Sequence, residues 1–150
     1  MRIELEKRSG GGSVLRCVRP DGTVTWQKRD RHGEFFAAHD LTHFAVESVL
    51  GARSGFFGLV GQGWEIEETT GKGARGPLPA EAAAVERLVG LLDVERAGST
   101  LWSAAEFNQN SAGAPPLTDN QLQRIRARRA ELLQEWNALA PGESLALVFA

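Results

Sequence analysis

The sequence predicts an α+β fold, and three observations carry that prediction. Up to Arg29 the chain holds three short period-two runs separated by breaks rich in glycine or proline. From Phe35 to Leu139 apolar residues recur mostly at helical spacing, and Ser144 to Phe149 is again strand-like. Strands followed by helices, with no strand-helix alternation, point to an antiparallel sheet with helices on one face. The expectation is a sheet of three N-terminal strands plus the C-terminal strand, with about three to five helices packed against it. With 150 residues, no internal repeat and no linker, the chain reads as a single α+β domain over 1–150.

Composition narrows the function classes. The chain is 42% apolar and 24% charged with a formal charge of −2, an ordinary globular balance that asks for neither nucleic acid nor a membrane surface. The opening MRIELEKRSGGG has no apolar core for a signal peptide. No run approaches the roughly 18 apolar residues of a membrane span, so a cytoplasmic protein is expected. Cys17 is the single cysteine. An internal disulfide and a multi-cysteine zinc site are thereby excluded, and its strand-like setting suits a buried structural thiol.

Each element follows from local pattern. Arg2 to Lys7 alternates Ile3 and Leu5 with Glu4 and Glu6, as a half-exposed strand does. After the glycine-rich Ser9 to Ser13, two strands flank Pro20-Asp21-Gly22, a turn where proline presets one dihedral and glycine permits a positive φ. Val24 and Trp26 share a face, which is expected to pack on the central helix. Phe35 to Gly51 is that helix. Arg53 to Trp64 carries Gly55, Gly58, Gly61 and Gly63 among large apolar residues, and reads as a short helix or hairpin arm whose glycines permit close approach. Thr69 to Pro79 is a loop; its Gly-Lys-Gly departs from the phosphate-cradling GxxxxGK[ST] order and has no strand before it. Ala80 to Asp93 is an amphipathic helix entered after Pro79, and Ser99 to Phe107 a short one capped by Ser99 or Thr100. Thr118 and Gln121 form a capping box ahead of Leu122, Ile125, Leu132, Trp136 and Leu139, the stripe of a final helix. Ser144 to Phe149 looks apolar on both faces and is expected inside the sheet.

Reactive side chains concentrate on the central helix. At about 100° per residue, His39, Asp40, His43 and Glu47 fall in one sector about 100° wide, opposite Ala37, Leu41, Phe44 and Ala45. No Lys or Arg lies between Arg31 and Arg53, so the polar sector faces a pocket or groove and not bulk solvent. Two histidines at i and i+4 place their Cβ atoms about 5–6 Å apart, and both rings can reach one ion at about 2.0–2.1 Å. Glu47, eight residues from His39, lies about 12 Å away along the axis and suits the role of orienting the His43 ring better than that of a ligand. A third ligand must come from another segment: Glu65, Glu67, Glu68 or His32. If the glycine-rich segment turns back antiparallel, Glu65 completes a two-histidine, one-carboxylate set and Trp64 walls the pocket.

The run His39-Asp40-Leu41-Thr42-His43 resembles the HExxH arrangement of zinc hydrolases, with Asp40 in the glutamate's place. It also resembles the HDxxH zinc motif of ubiquinone-biosynthesis scaffold proteins, over five residues; those carry a further glutamate where this chain has Gly55. The longer string HDLTHFAVE, followed by GFFGL and GW, resembles a small bacterial family of unknown function. The HExxH and HDxxH resemblances imply a divalent metal such as zinc, and the pocket beside the helix is expected to take a small-molecule ligand or substrate. Two functions follow. One is a small metal-dependent hydrolase in which His39 and His43 hold the ion and Asp40 handles a proton. The other is a non-catalytic ligand-binding or interaction domain whose His/Asp/Glu cluster is a structural polar network.

Overall fold

The computed structural model describes residues 1–150. Strands β1 (Arg2–Lys7), β2 (Ser13–Val18), β3 (Val24–Arg29) and β4 (Ser144–Val148) form one antiparallel sheet in the order β3-β2-β1-β4. Five helices accompany it: α1 (Gly33–Leu50), α2 (Phe56–Gly61), α3 (Ala80–Gly98), α4 (Ala104–Asn110) and α5 (Asp119–Ala138). No helix is long and apolar enough to cross a membrane. The α+β class and the pairing of the C-terminal strand with the N-terminal meander are as expected.

Register explains the core. Ile3 sits opposite both Cys17 and Leu147, and Leu5 opposite both Leu15 and Leu145, so two rows of apolar side chains cross the inner face. Against them pack Ala37, Leu41, Phe44 and Ala45 of α1, then Val85, Leu88, Val89 and Leu92 of α3 and Leu122, Ile125, Leu132 and Trp136 of α5 in one continuous core. The Thr118–Gln121 capping box is formed in both directions, with Gln121 N–H donating to Thr118 Oγ1 and Thr118 N–H to Gln121 Oε1. Helix α1 begins hard against the glycine-rich turn: a Cβ on Gly33 would lie 2.5 Å from the Gly12 carbonyl carbon. Glycine is therefore needed there for contact, not for turning.

Three expectations are corrected. Trp26 is 61% exposed, and the inner face of β3 is instead Thr25, Gln27 and Arg29. That face is polar because its outer end borders a cavity and not the core. β4 is an edge strand beside β1, with Val148 78% exposed, because Leu145, Leu147 and Phe149 alone face inward. The short helix after α3 starts at Ala104 and is capped by Ser103, whose hydroxyl accepts from Glu106 N–H, since α3 itself runs on through Gly98 and ends with Ser99 left-handed. The glycine-rich arm is a short helix, as expected, of six residues before the Gln62-Gly63 turn stops it.

Candidate metal centre

Buried on nearly every side from Ala37 to Glu47, α1 passes between the sheet and the α3–α5 pair. Its polar residues are each met by a different element. His43 is fully enclosed, and its two ring nitrogens lie 3.2 Å from Glu47 Oε1 (Nδ1) and 3.2 Å from Glu86 Oε1 (Nε2). His39, one turn back, places Nδ1 2.7 Å from Asp93 Oδ2, and the two imidazole centroids are 4.9 Å apart. One ligand atom each from His39, His43 and Glu86 lie within 4.8 Å of one another, a group that could hold a metal ion.

The outer partners of this group match what metal-bound histidines require. Each ring has Nδ1 turned to a carboxylate, Glu47 for His43 and Asp93 for His39, which fixes ring orientation and leaves Nε2 for an ion. Glu47 in turn is held by Phe57 N–H at 3.2 Å and Gly58 N–H at 3.0 Å, buried first-turn amides of α2 that have no partner within the helix. Gly55 makes this possible, because a Cβ there would fall 2.5 Å from the Glu47 Cδ. The orienting role expected of Glu47 thus has a structural cause: the carboxylate joins His43 to the first turn of α2.

Glu86 of α3 supplies the third member of the group. Glu65 instead pairs with Arg19 at 3.2 Å, and Arg19 also donates to the Trp64 carbonyl at 2.6 Å. This buried arginine holds the Trp64–Glu65 corner against the β2–β3 turn. Trp64 lies under the Arg75 guanidinium and does not line the cavity; Phe56, its ring centroid 5.3 Å from that of His43, takes the wall position expected of Trp64. His32 caps α1 in a left-handed conformation and is exposed, outside the group. Sequence reasoning missed Glu86 and Asp93. They stand seven residues apart on one face of α3, two turns, which matches an antiparallel helix carrying His43 and His39.

Asp40 is not a free carboxylate. Both its oxygens are engaged by Arg29 of β3, whose guanidinium also donates to Gln27 and lies 4.7 Å from the Phe36 ring centroid. Burial raises the Asp40 pKa, and Arg29 pulls against it. For His43 burial pushes the imidazole down, but the hydrogen bonds and charges of Glu47 and Glu86 outweigh it and lift the pKa to about 9. At Glu86 burial works upward and the His43 contact more than reverses it, leaving the carboxyl below its usual range.

The group opens onto a cavity of about 460 Å³. His39, Asp40, His43 and Glu86 line one side, with Gln27 and Arg29 from β3 beside them. Phe36, Phe56, Ile66 and Leu78 give it apolar walls, and Glu67, Thr69 and Thr70 of the 3-10 turn Ile66–Thr70 form its polar rim. A partly apolar cavity with convergent polar groups is the form small-molecule sites take. No family model, curated protein or solved structure matches the chain.

Proposed function

We propose that the protein binds a divalent first-row metal ion, zinc foremost, through His39, His43 and Glu86, and acts as a small metal-dependent hydrolase. The observation that carries this reading is the pairing of each histidine's Nδ1 with its own carboxylate while the remaining ligand atoms converge at the wall of an open cavity. Two histidines and one carboxylate with a position open to a pocket is the donor set of catalytic zinc sites. The resemblance of His39-Asp40-Leu41-Thr42-His43 to HDxxH and HExxH zinc motifs agrees with it, Glu86 standing where those motifs draw a ligand from elsewhere. A bound ion would polarise a substrate carbonyl or bring a water's pKa to about 7. The chain's own residues position and line: Asp93 and Glu47 hold the rings, and Phe36 and Phe56 give the cavity apolar walls. Asp40, committed to Arg29, ties β3 to α1 and so fixes the cavity floor.

A second reading has its own observation. With His43 raised to about 9 the imidazolium already has a carboxylate partner for each ring N–H, Glu47 and Glu86, and a structural polar network needs nothing more.

Elemental analysis of protein purified without a His tag separates the two. Near-stoichiometric metal is expected, falling sharply in His39→Ala, His43→Ala and Glu86→Ala and unchanged in Glu65→Ala. Metal content unmoved by the first three, or none in the parent after incubation with zinc, would leave the network reading.

A further inference from the structure

The charges around the cavity indicate what the site accepts. Arg29 is the one lysine or arginine that lines it, and its guanidinium is spent on Asp40, Gln27 and the Phe36 face. Away from the metal group, no lysine or arginine is left to meet the anionic tail of a bound molecule. Glu67, by contrast, lines the same cavity, is exposed, and its carboxylate enters no ion pair or hydrogen bond; only its backbone carbonyl is used, by Thr70 Oγ1 at 3.1 Å. The neighbouring acids are all occupied: Glu65 by Arg19 and Glu68 by Arg75 at 2.8 Å. The cavity that the metal-ligand group lines therefore also carries one unpaired negative charge at its rim, together with the aromatic walls of Phe36 and Phe56.

Resting on the metal reading above, we infer that the site takes a small cationic substrate, one with a metal-coordinating carbonyl at one end and a protonated amine at the other, the amine received by Glu67. Thr69 and Thr70 add hydroxyls beside Glu67 but no charge, and the apolar walls accept the body that joins the two ends. Opposite charge at the rim favours the amine, and like charge disfavours a carboxylate or phosphate tail in the same place.

Cobalt(II)-loaded protein tests this through its visible spectrum. Three hydroxamates of equal length are titrated, ending in an ammonium, an amide or a carboxylate, with inorganic phosphate as a fourth probe. The ammonium compound should bind about fivefold tighter than the amide, the scale of a partly exposed ion pair, and the carboxylate weaker still. Glu67→Gln should erase the ammonium preference while leaving the cobalt spectrum of the free protein as it was. An equal or tighter response to the carboxylate probe or phosphate overturns the inference, as does a preference that survives Glu67→Gln or a spectrum that no probe perturbs. Failure to take up cobalt at all would strike the metal reading itself, and that outcome is visible before any probe is added.

Discussion

Helix α3 presents carboxylates to two different clusters, and the difference lies in the cations that meet them. Toward α5, Glu95 is buried and receives two hydrogen bonds from Arg126, at 2.9 and 2.5 Å, with Arg129 3.8 Å away. Toward α1, Glu86 and Asp93 meet His43 and His39. Arginine keeps its proton at any working pH and cannot ligate an ion, so the Glu95 cluster is closed; Arg126 and Arg129 use further donors on the Trp102 and Leu92 carbonyls at 2.7 Å each. Histidine gives its proton up and then offers a lone pair. Two clusters of similar make-up on one helix thus differ in kind, one a fixed strut and the other exchangeable and open to a cavity.

The comparison is broken most severely by removing the anion from the strut. Glu95→Gln leaves the partly buried Arg126 and the buried Arg129 beside each other without their main anion, and a loss of about 3 kcal/mol is expected in urea unfolding, with metal content per folded molecule unchanged. Glu86→Gln should do the reverse: a smaller loss of stability, limited to the share of the His43 stabilisation that a half-exposed side chain supplies, and a sharp loss of metal. A Glu95 variant as stable as the parent would mean the strut is ornamental.

The exchangeable cluster should show itself in pH. In metal-free protein the His43 pKa is about 9 folded, against about 6.5 unfolded. Its contribution, about 3 kcal/mol, is fully present below pH 6.5 and is lost as pH rises through 9. His43→Gln should flatten that stretch of the stability profile. Metal affinity runs the other way, rising about tenfold per pH unit until pH passes about 9, since the ion must displace the His43 proton. A metal-free stability that climbs between pH 6.5 and 9 would contradict the arrangement around His43.

How far the sequence reveals all this depends on the range of each interaction. The meander, the ends of α1 and α5 and the His39–His43 spacing rest on neighbours a few residues apart, and they were legible. The face of β3 was not: Trp26 outranks Gln27 and Arg29 on any hydrophobic scale, yet that strand's inner side borders a polar cavity. Glu86 was hidden for a similar reason, since an exposed-looking glutamate on an amphipathic helix becomes a site residue only once α3 is known to lie beside α1. Glu47 was legible as a partner of His43 through i,i+4 spacing, but its grip on α2, and hence the need for Gly55, depends on a contact across the chain reversal.

Gly55→Ala sharpens the comparison from the histidine side. The new Cβ would collide with the Glu47 carboxylate, and the strain should cost about 1–3 kcal/mol. Because Glu47 helps hold the His43 proton, its displacement should also lower the His43 pKa, read by NMR titration of the imidazole. An unchanged titration with reduced stability would mean that Glu47 serves α2 alone.

The smallest expected effect lies at the start of α5, the helix that carries the arginine strut. Thr118 Oγ1 accepts from Gln121 N–H at 3.1 Å, and Gln121 Oε1 accepts from Thr118 N–H at 2.9 Å, so the first turn of α5 is satisfied at both ends of the box. Thr118→Ala removes the first bond and leaves that amide to water, a loss of about 1 kcal/mol. The cap is exposed and remote from His39, His43 and Glu86, which belong to α1 and α3. The urea midpoint should therefore fall while metal content and the His43 titration stay where they were. A change in either of the last two would mean that the strut and the exchangeable cluster communicate along α3, and that the contrast between them is one of degree.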